Sequence, residues 1–66
     1  MTLKQFLESY CDKDLRVDIS DSWCIGEITF CYIESVEYIL TYREECLNKT
    51  VKRIDIDGDV LMILVE

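Results

Sequence analysis

The sequence predicts an α+β domain, an αββαββ chain whose four strands form a mainly antiparallel sheet with the helices on one face. Three observations carry that expectation. An apolar stripe of helical period opens the chain, an alternating apolar and polar segment follows it, and Asp57-Gly58 separates two strand-forming runs near the end. A chain of 66 residues is one small domain, 1–66, and buries only about 60% of the surface that its unfolded form exposes. Half of its residues are apolar, with no proline and two glycines, a composition that favours a compact fold over disorder or linkers.

The first helix has clear start signals. Thr2 and Gln5 form a T-x-x-Q capping box, with Met1 and Phe6 at the positions of a hydrophobic staple. Leu3, Phe6, Leu7, Tyr10 and Cys11 then make one stripe on a 3.6-residue period, which must face a core. Asp12, Lys13 and Asp14 break the stripe. In LRVDIS, Leu15, Val17 and Ile19 alternate with Arg16, Asp18 and Ser20, the pattern of a strand with one wet face. Ser20-Asp21-Ser22 reads as a turn, and a second strand is expected within Trp23 to Tyr32. Ile28 and Phe30 are expected to face the core there, with a bulge at Gly26.

Ser35 is placed to cap a second helix running to about Leu47, with Val36, Ile39, Leu40, Arg43 and Leu47 on its inner face. Tyr38 and Tyr42, four residues apart, share a neighbouring edge. Asn48-Lys49-Thr50 reads as the helix exit. The closing stretch DIDGDVLMILVE has carboxylates at the first, third, fifth and twelfth places, as in a helix-loop-helix calcium site. Such a loop requires glycine at its sixth place and a helix after it, whereas the sixth place here is Val60 and the following run is strand-forming. The stretch therefore reads as a hairpin. A type I′ turn at Asp57-Gly58 would set Ile54 opposite Leu61 and Ile56 opposite Asp59, with Ile54, Leu61 and Ile63 on one face. VLMILV, apolar throughout, is expected to be a central strand or one covered on both sides.

Chemistry is sparse. There is no histidine to act as a base near neutral pH. Cys11, Cys24, Cys31 and Cys46 form no C-x-x-C pair and read as buried thiols rather than as a zinc set. No Gly-rich loop is present to cradle a phosphate, and a domain of this size hardly builds a sugar cleft between carboxylates. The expectation is a protein that is not an enzyme and uses no cofactor. There is no basic start followed by an apolar run, and the longest apolar run has six residues against the ~20 needed to span a bilayer. A cytoplasmic protein is expected.

Charge is the main compositional feature. Fourteen acidic residues against seven basic ones give −7, which disfavours direct binding to nucleic acid or an anionic membrane and favours a basic protein surface. A solvated acidic surface that only confers solubility is the plainer reading of the same number. The candidate partner-binding residues are Asp12, Asp14, Asp18 and Asp21 around the first strand, Asp55, Asp57 and Asp59 at the hairpin tip, and Trp23 beside a polar turn. Glu34, Glu37, Glu44 and Glu45 on the second helix admit the same two readings.

In layout the chain resembles the small acidic accessory proteins of bacteriophage and prophage genomes in Gram-positive bacteria. The resemblance lies in the capped opening helix TLKQFLESY, the strand LRVDIS and the closing hairpin TVKRIDIDGDVLMILVE. It implies no catalytic residues. It implies instead an inhibitor of host machinery of the anti-CRISPR or anti-restriction kind, acting on a CRISPR effector or another defence nuclease, in some cases as a nucleic-acid mimic. The competing expectation is a structural or assembly protein that forms a homodimer through its C-terminal hairpin.

Overall fold

The computed structural model describes residues 1–66. Its elements are α1 (Leu3–Tyr10), β1 (Arg16–Ser20), β2 (Cys31–Ser35), α2 (Val36–Tyr42), α3 (Glu44–Leu47), β3 (Val51–Asp57) and β4 (Val60–Val65). The αββαββ order is as expected, with the second helix divided in two. The strands lie in the order β2-β1-β4-β3. β1 pairs antiparallel with β2, β3 antiparallel with β4, and the central pair β1 and β4 runs parallel. β2 and β3 therefore sit at opposite edges, and the helical connection between them has to cross the sheet.

The core fills the face that this connection covers. Leu3 and Leu7 from α1, Val17 and Ile19 from β1, Val36 and Ile39 from α2, Cys46 and Leu47 from α3, and Ile63 and Val65 from β4 form one buried cluster. VLMILV is indeed a central strand. Neither edge strand contributes a fully buried side chain to the cluster.

α1 and α2 begin as their sequences dictate. The Thr2 hydroxyl accepts from the Gln5 amide at 3.2 Å, and the Gln5 side chain returns an acceptor to the Thr2 amide at 3.0 Å. Met1 stays largely exposed, while Phe6 packs at the core margin and lies 5.7 Å from the Tyr10 ring. The Ser35 hydroxyl caps α2 by accepting from the Tyr38 amide. Two further amides at the start of α2 are bonded as well: Val36 donates to the Leu15 carbonyl and Glu37 to the Lys13 carbonyl, both at 2.9 Å. Segment 13–15 thus satisfies donors that a helix start leaves without intrahelical partners.

Several expectations are corrected. The second strand is Cys31–Ser35, not a segment within Trp23 to Tyr32; residues 21–30 form a loop, in which Gly26 has φ +94°. Phe30 still packs against the core, but Ile28 is exposed. The helix expected to reach Leu47 breaks at Arg43, whose backbone leaves the helical region (φ −120°, ψ 48°) before α3 resumes. Arg43 would otherwise sit on the apolar face with its charge uncompensated. The break accompanies a paired guanidinium, with Nε and one terminal nitrogen donating to the two Glu34 carboxylate oxygens at 3.0 Å each.

The hairpin register also differs. Its loop is Gly58-Asp59, closed by the pair Asp57↔Val60, so Ile54 faces Ile63 and Ile56 faces Leu61. Gly58 has φ +62° while Asp59 does not have positive φ, which fits glycine at the first central position of a type II′ turn rather than a type I′ turn. The slip is two residues. Side chains alternate with period two, so Ile54, Leu61 and Ile63 keep the common face expected of them. Finally, Cys24 and Cys31 are exposed; only Cys46 is a fully buried thiol, with Cys11 half-buried.

This distribution of burial makes a direct prediction. Ile63→Ala, at the centre of the β1–β4 pair, is expected to cost about 2–5 kcal/mol in urea unfolding. Ile56→Ala, at a residue 72% exposed on β3, is expected to stay within about 0.5 kcal/mol of the parent. Equal losses would contradict the division between central and edge strands.

Candidate functional site

The helices occupy one face of the sheet, and the other face carries the candidate site. Three rows of side chains cross it in register. The first is Ser35, Arg16, Val60 and Asp57; the second is Ile33, Asp18, Met62 and Asp55; the third is Cys31, Ser20, Leu64 and Arg53. Ser20 and Leu64 in the third row are buried. Ile33 is 47% exposed, and Val60 and Met62 are partly so. The face is therefore closed at the end where residues 21–30 leave β1, and open toward the β3–β4 turn.

Because β1 and β4 are parallel, their entry turns lie at the same end of the sheet. Arg16 pairs with Val60, which brings the turn carrying Asp12 and Asp14 level with the turn carrying Asp57 and Asp59. Asp18 and Asp55 flank Met62 in the middle row. Of the predicted carboxylates, Asp18, Asp55 and Asp57 thus share this face with Arg16 and Arg53, and Asp12, Asp14 and Asp59 lie in the two turns at its open end. None of the chain's aspartates is in a salt bridge; the two that form are Arg43–Glu34 at 3.0 Å and Lys52–Glu66 at 3.8 Å.

Asp21 and Trp23 lie apart, beyond the other end of β1. Asp21 has a structural task there. One carboxylate oxygen accepts from the Thr29 amide at 2.9 Å and from the Phe30 amide at 3.4 Å, and the other accepts from the Thr29 hydroxyl. These bonds close the loop and hold the Asp21 carboxyl below the usual carboxylate range, the Thr29 hydroxyl contributing most. Trp23 is half-buried, and its indole nitrogen is enclosed without a partner. The Ser20 hydroxyl is likewise enclosed and unpaired.

Two groupings are new in the folded chain, although the sequence singles out Tyr38, Arg43, Glu34 and Glu45 of the second one by one. Met62, Val60 and Ile33 supply the apolar ground beside the charged side chains, but in an all-apolar run such as VLMILV no alternation marks which residues turn outward. The second group is a polar cluster at the β2 edge, on the helical face. The Arg43 guanidinium lies 4.4 Å from the Tyr32 ring centre and 5.6 Å from that of Tyr38, and the Tyr32 hydroxyl donates to Glu45 at 2.8 Å. Tyr38 and Tyr42 meet at 4.7 Å, as their spacing implies. With Glu34 bound to Arg43, the members of this cluster satisfy one another, so it ties the helix break to the edge strand.

The exposed Cys31 thiol is held in its protonated form. Cys31 donates to Asp18 at 3.3 Å, and burial, then that bond and the aspartate's charge, push its thiol up to about 11. Burial raises Cys46 to about 11 as well. No three His, Cys, Asp or Glu side chains converge to hold a metal ion, and no helix is long and apolar enough to cross a membrane. Compared with protein-family models, curated proteins and solved structures, the chain matches none.

Two measurements test these assignments. Asp18→Asn is expected to speed alkylation of Cys31 at pH 8, read by mass spectrometry, because it removes a charge that opposes the thiolate. An unchanged rate would show that the contact does not govern the thiol. In an NMR titration, the Thr29 and Phe30 amides are expected to shift together at a pH below the ordinary aspartate value near 3.9. A group with a depressed folded pKa gives stability that is fully present above its unfolded value and lost as pH falls through the folded one. The loop is therefore expected to hold at pH 5 and to open only in stronger acid.

Proposed function

We propose that the protein is a non-catalytic, cofactor-free binding module of the bacterial cytoplasm that occupies a basic, nucleic-acid-handling surface of a host defence protein. A CRISPR effector or another defence nuclease is the kind of partner meant, and the role is that of a phage-encoded inhibitor. The observation that carries this reading is the gathering of Asp18, Asp55 and Asp57 on one face of the sheet, with Asp12, Asp14 and Asp59 in the turns at its open end, none of them in a salt bridge.

The geometry suits a charged template. Asp55 and Asp57 stand two residues apart on one strand, about 7 Å along it, and Asp18 lies two strands from Asp55, about 10 Å across the sheet. Such an array presents negative charge at intervals, as a nucleic-acid backbone does, with Arg16 and Arg53 beside it on the same face. Met62 between Asp18 and Asp55, and Ile33 on the far side of Asp18, offer apolar contact that a phosphate chain lacks. A net charge of −7 steers the encounter with a basic cleft and makes it dependent on salt. Asp21, committed to its loop, has no part in this surface.

The test is capture of host proteins on the immobilised chain from a nuclease-treated lysate, with added duplex DNA or structured RNA as competitor. The expected result is a basic nucleic-acid-handling protein that is retained at low salt, released at high salt and displaced by the competitor. D55N/D57N/D59N is expected to slow association with that protein about tenfold or more. Retention that ignores salt, competitor and the triple substitution would rule out charge mimicry.

A further inference from the structure

The second edge of interest is β3. Val51–Asp57 is the longest strand of the sheet; at its start the Val51 amide donates to the Met1 carbonyl and Thr2 bridges Thr50, and beyond that its far side has no neighbouring strand. Every residue from Lys52 to Asp57 is exposed, with Ile54 at 46% and Ile56 at 72%. Beside Ile56 lies a shallow, largely apolar hollow of about 530 Å³ lined by Leu15, Ile56, Gly58, Asp59, Val60 and Leu61. VLMILV cannot offer an edge, because it is paired on both sides.

The direction of the free backbone groups on β3 follows from the hairpin. The pair that closes a two-residue hairpin loop exchanges hydrogen bonds, so Asp57, and with it Asp55 and Arg53, turn their amides and carbonyls toward β4. Ile54 and Ile56 turn theirs outward. An independent contact agrees: the Ile56 amide donates to the carboxylate of its own neighbour, Asp55, at 2.8 Å, not to β4.

We propose that β3 pairs with β3 of a second copy, antiparallel and centred on Ile54, to make a continuous eight-stranded sheet. Charge selects both the occupant and the register. Outward residues must meet outward residues, which restricts the two-fold to centres at Arg53, Ile54 or Asp55. Centring on Arg53 or Asp55 opposes that charge to its own copy. Centring on Ile54 sets Arg53 opposite Asp55 of the second copy, twice, and opposes no like charges. Ile54 then exchanges both of its free backbone bonds with its mate. The aliphatic stem of Lys52 comes opposite Ile56 and covers it. On pairing, the Asp55 carboxylate releases the Ile56 amide and turns to the arginine across the interface. The proposal does not depend on the inhibitor reading, since it needs no host partner.

Sedimentation of the purified chain over a range of concentrations, in about 0.15 M salt where the Debye length is about 8 Å, tests the proposal. The expected result is a reversible monomer–dimer equilibrium. D55R frees the Ile56 amide yet sets the introduced guanidinium opposite Arg53 of the second copy in each half, and is expected to weaken the dimer about tenfold. R53D/D55R restores opposite charges and is expected to return to within about threefold of the parent. Ile54→Pro removes an outward donor without touching the β4 ladder and is expected to abolish the dimer while circular dichroism stays unchanged. A parent chain that stays monomeric to about 1 mM, a limit corresponding to some 4 kcal/mol of association, would overturn the proposal. So would a dimer that withstands both D55R and Ile54→Pro, or one that R53D/D55R fails to restore.

Discussion

The parallel pairing of β1 and β4 is the constraint on which the remaining structure depends. Two antiparallel hairpin-like pairs joined through their inner strands leave β2 and β3 at opposite edges, so the chain between them must cross the whole sheet. That crossing is α2 and α3, and their apolar side chains, with those of α1, close over Val17, Ile19, Ile63 and Val65. The same pairing puts the entry turns of β1 and β4 at one end. A buried core on one face and a crowd of aspartates at one end therefore share one topological cause.

The two faces divide the chemistry between them. On the helical face, the Glu34–Arg43 pair is matched in charge, with Tyr32 and Glu45 hydrogen-bonded beside it. That group sits where the helix must break for the chain to pass from α2 to α3. The opposite face carries Asp18, Asp55 and Asp57 with Arg16 and Arg53, none of them in a salt bridge, around Met62, Val60 and Ile33. The edge strand β3 belongs to both faces, with Asp55 and Asp57 on one side and Ile54 and Ile56 on the other, and its own Asp55 covers one of the amides that would invite another strand.

Acidity also sets the balance between these surfaces. A body with −7 net charge repels its copies at long range, which keeps an unpaired edge from open-ended association. At contact distance the local order of charges along VKRIDID matters more than the total, and it alternates in a way that suits a two-fold.

Much of the fold could be read directly. The capping box of α1, the Ser35 cap, the alternation of LRVDIS and the all-apolar VLMILV each express a local preference that the folded chain keeps, because each reports backbone geometry or one-sided burial within a few residues. The face of Ile54, Leu61 and Ile63 was also legible, since it depends on parity and survives a slip of two. The candidate site was legible only as a set of residue types. Nothing in the sequence says that β1 and β4 run side by side, so nothing in it brings Asp12 and Asp14 level with Asp57 and Asp59, or separates Asp21 from them. Residues 21–30 misled because ITFCYI has strand-like residues throughout, whereas the Asp21 carboxylate bonds the Thr29 and Phe30 amides and makes a loop of the segment before Cys31. Most elements and their buried sides are local and periodic properties, and the residues alone carry them. Pairing, register and the company each charge keeps came only with the folded chain, because they depend on contacts between residues far apart in sequence.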